Sequence, residues 1–64
     1  MNNDLKNLSK IKNISQNELA EVLSVSRQTI NSIENGKFDP SLTLAIKLTR
    51  YFNVSIDEIF KYED

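Results

Sequence analysis

The sequence predicts a small all-α domain of five helices, and three observations carry that prediction. Apolar residues recur at intervals of three and four along most of the chain. A Ser stands in front of four of these stretches, twice in the capping-box pattern S-x-x-E. The only Gly and the only Pro, Gly36 and Pro40, fall together in one loop, so the remaining segments are free of helix breakers. At 64 residues the chain makes one domain, 1–64, because domains seldom fall below about 50 residues.

Leu5, Leu8 and Ile11 recur at three-residue spacing and predict a first helix from about Asp4 to Lys12. Ser15-Gln16-Asn17-Glu18 is a capping box: the Ser15 hydroxyl can accept from the amide of Glu18 while the Glu18 carboxylate reaches back to the amide of Ser15. It opens a second helix that Leu19, Ala20, Val22 and Leu23 carry to about Leu23. "SVS" then breaks the pattern, and Ser26 caps a third helix that runs to Asn35, with Gly36 as its C-terminal stop. After "GKFDP", Ser41 caps a fourth helix whose stripe is Leu42, Ala45, Leu48 and Phe52, widened by Leu44 and Tyr51. Ser55-Ile56-Asp57-Glu58 is the second capping box and opens a short fifth helix with Ile56, Ile59 and Phe60. The closing "FKYED" alternates apolar and charged residues, a pattern that suits a brief extended strand or a frayed tail.

Composition removes several classes of function. With no Cys and no His there are no disulfides, no zinc sites of the usual kind, no thiol nucleophile and no imidazole base, so neither a metal nor a cofactor is expected. Glu18 and Glu58 are committed to capping, and no nucleophile and base pair is visible, which argues against an enzyme. Apolar runs never exceed three residues and "MNNDLKNLSK" has no apolar core, so neither a membrane span nor an export signal is read and a cytoplasmic location is expected. A single domain of this size also leaves no room for an ordinary small-molecule effector site.

The net charge is −1, but its distribution is uneven. Residues 1–56 hold seven basic and five acidic groups, leaving +2, whereas residues 57–64 hold one basic and four acidic, leaving −3. A polyanion should therefore meet the body of the domain and avoid its tail.

Helices two and three are separated by only about three residues, which forces a steep crossing instead of an antiparallel hairpin. Ala20 supplies the small residue such a crossing needs, and Leu19, Leu23, Val25, Ile30 and Ile33 supply a shared apolar core. From about Leu5 to Phe60 the chain resembles the phage repressor/Cro-like (Xre-type) helix-turn-helix family, on the motifs "SQNELA", "VSRQTI", "IENGK" and "PSL" at matching mutual spacing, with the helix-turn-helix at about 15–35. The resemblance implies a five-helix lambda-repressor-like fold, double-stranded DNA as partner, binding as a homodimer, and helix three as the recognition helix.

The face of helix three is consistent with that expectation on independent grounds. At about 100° per residue, with Ile30 and Ile33 turned inward, the opposite face carries Gln28, Asn31, Ser32 and Asn35, with Arg27 on its flank. Solvated helix faces usually carry paired Glu and Lys, whereas amides, hydroxyls and Arg are groups that read base edges. Gln28 and Asn31 can each bond bidentately to adenine, Arg27 can fork onto guanine or onto a phosphate, and Ser32 can donate, accept or leave room for a thymine methyl. Ser15 and Gln16 at the start of helix two, Ser26, Asn35 and Lys37 around helix three, and Ser41 at the start of helix four are placed to hold phosphates.

Three positions depart from the family pattern. Ser24 stands where the turn often has Gly, so either Ser24 adopts positive φ at about 1 kcal/mol or the turn changes shape. Ser9 stands where an Arg often pairs with the Glu of "ENG", leaving Lys12 or solvent to serve Glu34. Asp39 puts negative charge in a loop expected to approach phosphate.

One subunit spans only about half a turn of groove, so a homodimer with recognition helices about 34 Å apart on an inverted repeat is expected. Val54, Ile56, Ile59, Phe60 and Tyr62 are the candidates for its interface, each with the alternative of closing the monomer core. The function read from these features is a sequence-specific transcriptional regulator, with repression the expected sign. A protein-interaction module, such as an antitoxin-like partner using the same fold, is the rival reading.

Overall fold

The structure is a computed structural model that describes residues 2–62. Its elements in chain order are β1 (Asn2–Asn3), α1 (Leu5–Ile11), α2 (Gln16–Leu23), α3 (Arg27–Glu34), α4 (Leu42–Phe52), α5 (Ile56–Ile59) and β2 (Phe60–Lys61). The five expected helices are all present, and their ends lie within a residue or two of the expected caps. Ser15, Ser26 and Ser41 sit at the N-caps in extended backbone and accept from the amides of Glu18, Thr29 and Leu44. The second expected capping box, between Ser55 and Glu58, is also present at the start of α5. The Glu58 carboxylate accepts from both the amide and the hydroxyl of Ser55, each at 3.1 Å, and the Glu58 amide donates to the Ser55 carbonyl.

One apolar cluster joins all five helices: Leu5 from α1, Leu19, Ala20 and Leu23 from α2, Ile30 and Ile33 from α3, Leu44, Ala45 and Leu48 from α4, and Ile59 from α5. Leu8, Ile14, Val25, Tyr51, Phe52 and Val54 pack around its edge. Within α4 the expected stripe is rotated. Leu42 is 75% exposed, while Leu44, Ala45 and Leu48 form the buried side. At about 100° per residue these three and Phe52 share one side, and Leu42 lies roughly a quarter turn away from its centre.

The C-terminal "FK" is a strand, and its partner is the N-terminus. β1 and β2 pair antiparallel with Asn2 opposite Lys61 and Asn3 opposite Phe60, and the Asp4 amide extends the ribbon by donating to the Ile59 carbonyl at 2.7 Å. This ribbon corrects two of the interface candidates. Ile59 is 0% and Phe60 8% exposed within a single subunit, because period-two alternation turns Phe60 inward once β2 is paired. Both take the alternative of closing the core of one subunit, and Phe60 keeps only an edge beside Leu42 and Ile56. Ile56 and Tyr62 remain exposed, at 48% and 79%, and Val54 is half-buried against the core.

Candidate nucleic-acid interface

The polar face of α3 is displayed by a turn of three residues, Ser24 to Ser26, between α2 and α3. Ser24 takes φ 60°, ψ 42°, a left-handed conformation that reverses the chain at the end of α2. The Val25 amide then donates to the Ala20 carbonyl at 2.9 Å, satisfying an acceptor that the ended helix would leave open. Ala20 is buried at the crossing, where a larger side chain would push α2 and α3 apart.

Ile30 and Ile33 are buried, so the rest of α3 is turned outward. Arg27, Gln28, Asn31 and Asn35 are exposed and Ser32 is half-buried. Among the described residues Gln28 has no hydrogen-bond partner, which leaves both ends of its amide available. Asn31 is differently placed: its Oδ1 already accepts from Asn35 Nδ2, which leaves one lone pair of that oxygen and the Nδ2 donors of Asn31 for a base edge. The two asparagines act as a pair.

Beside this face lies an open concavity of about 370 Å³ bounded by Ser26, Gln28, Thr29, Ser32, Lys37 and Phe38. It gathers four of the expected DNA-facing residues and adds two that sequence reasoning passed over. Thr29 Oγ1 lies 2.8 Å from Ser26 Oγ and so ties the cap of α3 to the concavity wall. Phe38 is half exposed in the loop after α3, where an aromatic between Lys37 and Asp39 was the available signal.

The N-cap serines at Ser15, Ser26 and Ser41 share one property useful for phosphate. Each hydroxyl oxygen accepts from a backbone amide of its own helix. A serine hydroxyl accepting in this way still carries a proton, and at Ser41 that proton is open to an oxyanion. Ser15 also lies beside Lys10, in a second open hollow reached by Ser9, Asn13 and Glu18. Hydrogen bonds from the backbone amide and then the side chain of Ser15 hold the Glu18 carboxyl below its ordinary value of 4.5.

Glu34 has a partner that the sequence reading did not name. Gln16 Nε2 donates to Glu34 Oε1 at 2.9 Å, and Gln16 Oε1 in turn accepts from Arg27 Nε at 3.4 Å. Lys12, one of the expected partners, instead places its Nζ over the ring of Tyr51, 4.8 Å from the centroid. Ser9 is 6% exposed, and its hydroxyl has no hydrogen-bond partner among the described residues.

The matching family model, described as helix-turn-helix, covers residues 5–59, all five helices. The chain belongs to the Xre-type helix-turn-helix family. An HTH-type transcriptional regulator of Methanocaldococcus jannaschii is 53% identical over 64 residues, covering 100% of this chain and 97% of that one. A transcriptional regulator from Listeria innocua superposes with TM-score 0.84 at 31% identity over 95% of this chain, which spans 57% of that structure's length. The restriction-modification controller protein C.AhdI from Aeromonas hydrophila superposes with TM-score 0.77 at 28% identity, over 88% of this chain and 85% of that one. The relatives from Methanocaldococcus jannaschii and Listeria innocua are named as transcriptional regulators, and the family is not one of enzymes. Among the described residues no helix is long and apolar enough to cross a membrane.

Proposed function

We propose that this Xre-type protein is a sequence-specific transcriptional regulator that binds an inverted-repeat operator as a homodimer, with α3 in the major groove, and represses by occupying a promoter. The observation that carries the reading is the outward face of α3. Arg27, Gln28 and Asn31 project from a helix held at both ends, and Gln28 keeps its whole amide free for a base edge. Ser15, Gln16, Ser26, Asn35, Lys37 and Ser41 surround that face as hydrogen-bond donors for phosphates on either side of the groove. DNA as partner implies work in the cytoplasm.

The dimer face assigned by this reading is an apolar hollow of about 300 Å³ bounded by Pro40, Leu42, Ala45, Ile56 and Phe60, with Asp39 at its rim. Leu42 and Ile56 are the exposed side chains of that hollow, and a second copy would remove them from water. Leu42 thus joins Ile56 and the edge of Phe60 in this face, and the fully buried Ile59 drops out of it. Selection of bound duplexes from a random library tests the whole reading. A two-fold symmetric consensus with half-sites about one helical turn apart is expected, and enrichment of no sequence would refute it.

A further inference from the structure

We infer that Glu34 is a specificity-determining positioning residue, which aims Arg27 at DNA by locking the side-chain amide of Gln16 in one of its two orientations. The inference rests on the DNA-binding reading above and adds a role for a residue that faces no base.

A glutamine amide has nearly the same shape after a half-turn that exchanges its oxygen and nitrogen, so packing alone seldom fixes it. Here both ends meet a charged group. Glu34 can only accept and lies 2.9 Å from Gln16 Nε2. Arg27 can only donate, and its Nε lies 3.4 Å from Gln16 Oε1. The reversed amide would set oxygen against carboxylate and N–H against guanidinium, losing both bonds to like-signed contacts. Hydrogen bonds to charged groups are also the stronger kind, so the preference is set chiefly by the shorter one, to Glu34.

The consequence falls on Arg27. Its Nε is engaged by Gln16, which holds the guanidinium near the start of α3 and leaves its two Nη groups as an unengaged fork of donors among the described residues. A fork of two N–H donors matches a pair of acceptors, such as guanine O6 and N7. The second N–H of Gln16 Nε2 also stays open for a neighbouring phosphate. Glu34 and Arg27 are seven residues apart on α3, two turns, so Gln16 of α2 closes a bridge along the helix side that a direct ion pair would not span.

The sign of the effect separates this role from ordinary electrostatics. Removing a negative charge beside DNA should by itself tighten binding to every sequence. The bridge requires the opposite for a preferred duplex. The test uses the full chain, a duplex enriched by the wild type from a random library, and a scrambled duplex of equal length. Glu34→Ala is expected to weaken the enriched duplex by about tenfold, within the range for residues of one hydrogen-bond network. It should leave the scrambled duplex as tight or tighter. Glu34→Gln, which keeps an acceptor but loses the charge, should fall between wild type and Glu34→Ala. In an Arg27→Ala background Glu34→Ala should cost less than about twofold, because the group it positions is gone.

Cooperative melting of each variant shows that the fold is retained. Without DNA, the Arg27 Nε–H and Gln16 Nε2 resonances should move together in Glu34→Gln, a readout that survives if Glu34→Ala unfolds. Equal losses from Glu34→Ala with and without Arg27, or resonances that do not respond to Glu34→Gln, would overturn the bridge while leaving DNA recognition standing. Enrichment of no duplex by the wild type would instead remove the DNA-binding reading and this inference with it.

Discussion

Asn3 and Ile33, thirty residues apart, are joined by a hydrogen bond of 2.7 Å from the Asn3 side-chain Nδ2 to the Ile33 carbonyl. That carbonyl also accepts from the Gly36 amide at 3.0 Å, so the last turn of α3 is held from both sides. The same asparagine uses its Oδ1 to accept from the Leu5 amide at 3.1 Å, at the start of α1. One side chain in the terminal ribbon thus fixes the end of the helix expected to read DNA. Asn3→Ala should cost about 1–3 kcal/mol, from two part-buried hydrogen bonds, read as a lower urea midpoint at unchanged slope. Asn3→Asp keeps the acceptor but sets a carboxylate against the Ile33 carbonyl, so it should not recover the loss.

Ser24 marks the second testable point. The described residues with positive φ are Asn13, Ser24, Gly36 and Asn53. Three are Gly or Asn, which tolerate that conformation, and Ser24 is the exception. Relief of about 1–2 kcal/mol on removing the Cβ, set against about 0.4–1 kcal/mol of added unfolded-chain entropy, leaves Ser24→Gly more stable by roughly 0.5–1 kcal/mol. A β-branched residue should do the reverse, with Ser24→Val losing more than about 1 kcal/mol. Chemical denaturation of the pair reads both signs.

These two positions show what was legible in the sequence and what was not. The starts of α2, α3 and α4 were legible because each rests on a local Ser hydroxyl three residues from the amide it serves, at Ser15, Ser26 and Ser41. The strand at Asn2–Asn3 was not. Two asparagines carry little β preference, and their partner lies near the opposite end of the chain, so no window of sequence contains the pairing. Without that partner nothing decided whether Ile59 and Phe60 faced the core or a second subunit. Leu42 was misplaced for a related reason: three-residue spacing from one leucine admits several stripes, and only packing against the other helices selects Leu44, Ala45 and Leu48. The polar face of α3 was legible because it follows from two buried isoleucines and helical geometry. The Gln16 bridge was not, since it joins side chains eleven and eighteen residues apart on different elements.

Glu18 gives a pH prediction whose sign follows from its cap. Hydrogen bonds from the Ser15 amide and hydroxyl hold its carboxyl below 4.5 in the folded protein. A depressed folded value means that the ionised cap contributes stability above the unfolded value, and that this contribution is lost as pH falls through the folded one. Glu18→Gln should therefore lower the melting temperature near neutral pH and narrow its gap to the wild type below about pH 4. A gap that stays constant from pH 7 to pH 3 would show that the carboxylate charge contributes nothing. The group is fully exposed, so the effect should be small and should shrink with added salt.

The apolar hollow makes a prediction about assembly. Leu42→Glu and Ile56→Glu each place a charge where the proposed second copy would sit, while both positions are already exposed in the single subunit. Their effect on the stability of one subunit should stay within about 0.5 kcal/mol. Sedimentation should show both variants as monomers at concentrations where the wild type is dimeric, and both should lose preference for a symmetric over a half-site duplex. Retention of a wild-type dimer by both would move the interface elsewhere.

The strongest contrast at the DNA face is between Gln28 and Lys37, which bound the same concavity but should act differently. Gln28 projects from the first turn of α3 with its amide unengaged, so its contribution should depend on which base it meets. Gln28→Ala should cost about 1–3 kcal/mol on the preferred duplex and relax preference at a single base pair. Lys37 lies past the end of α3 as an exposed ammonium, a point charge with no base-matching geometry. Lys37→Ala should weaken preferred and scrambled duplexes alike and lower the slope of log affinity against log salt by about one unit. Titrations of both variants against both duplexes at several salt concentrations separate the outcomes. Equal losses on both duplexes for Gln28→Ala would take base reading away from Gln28 and leave it a phosphate contact.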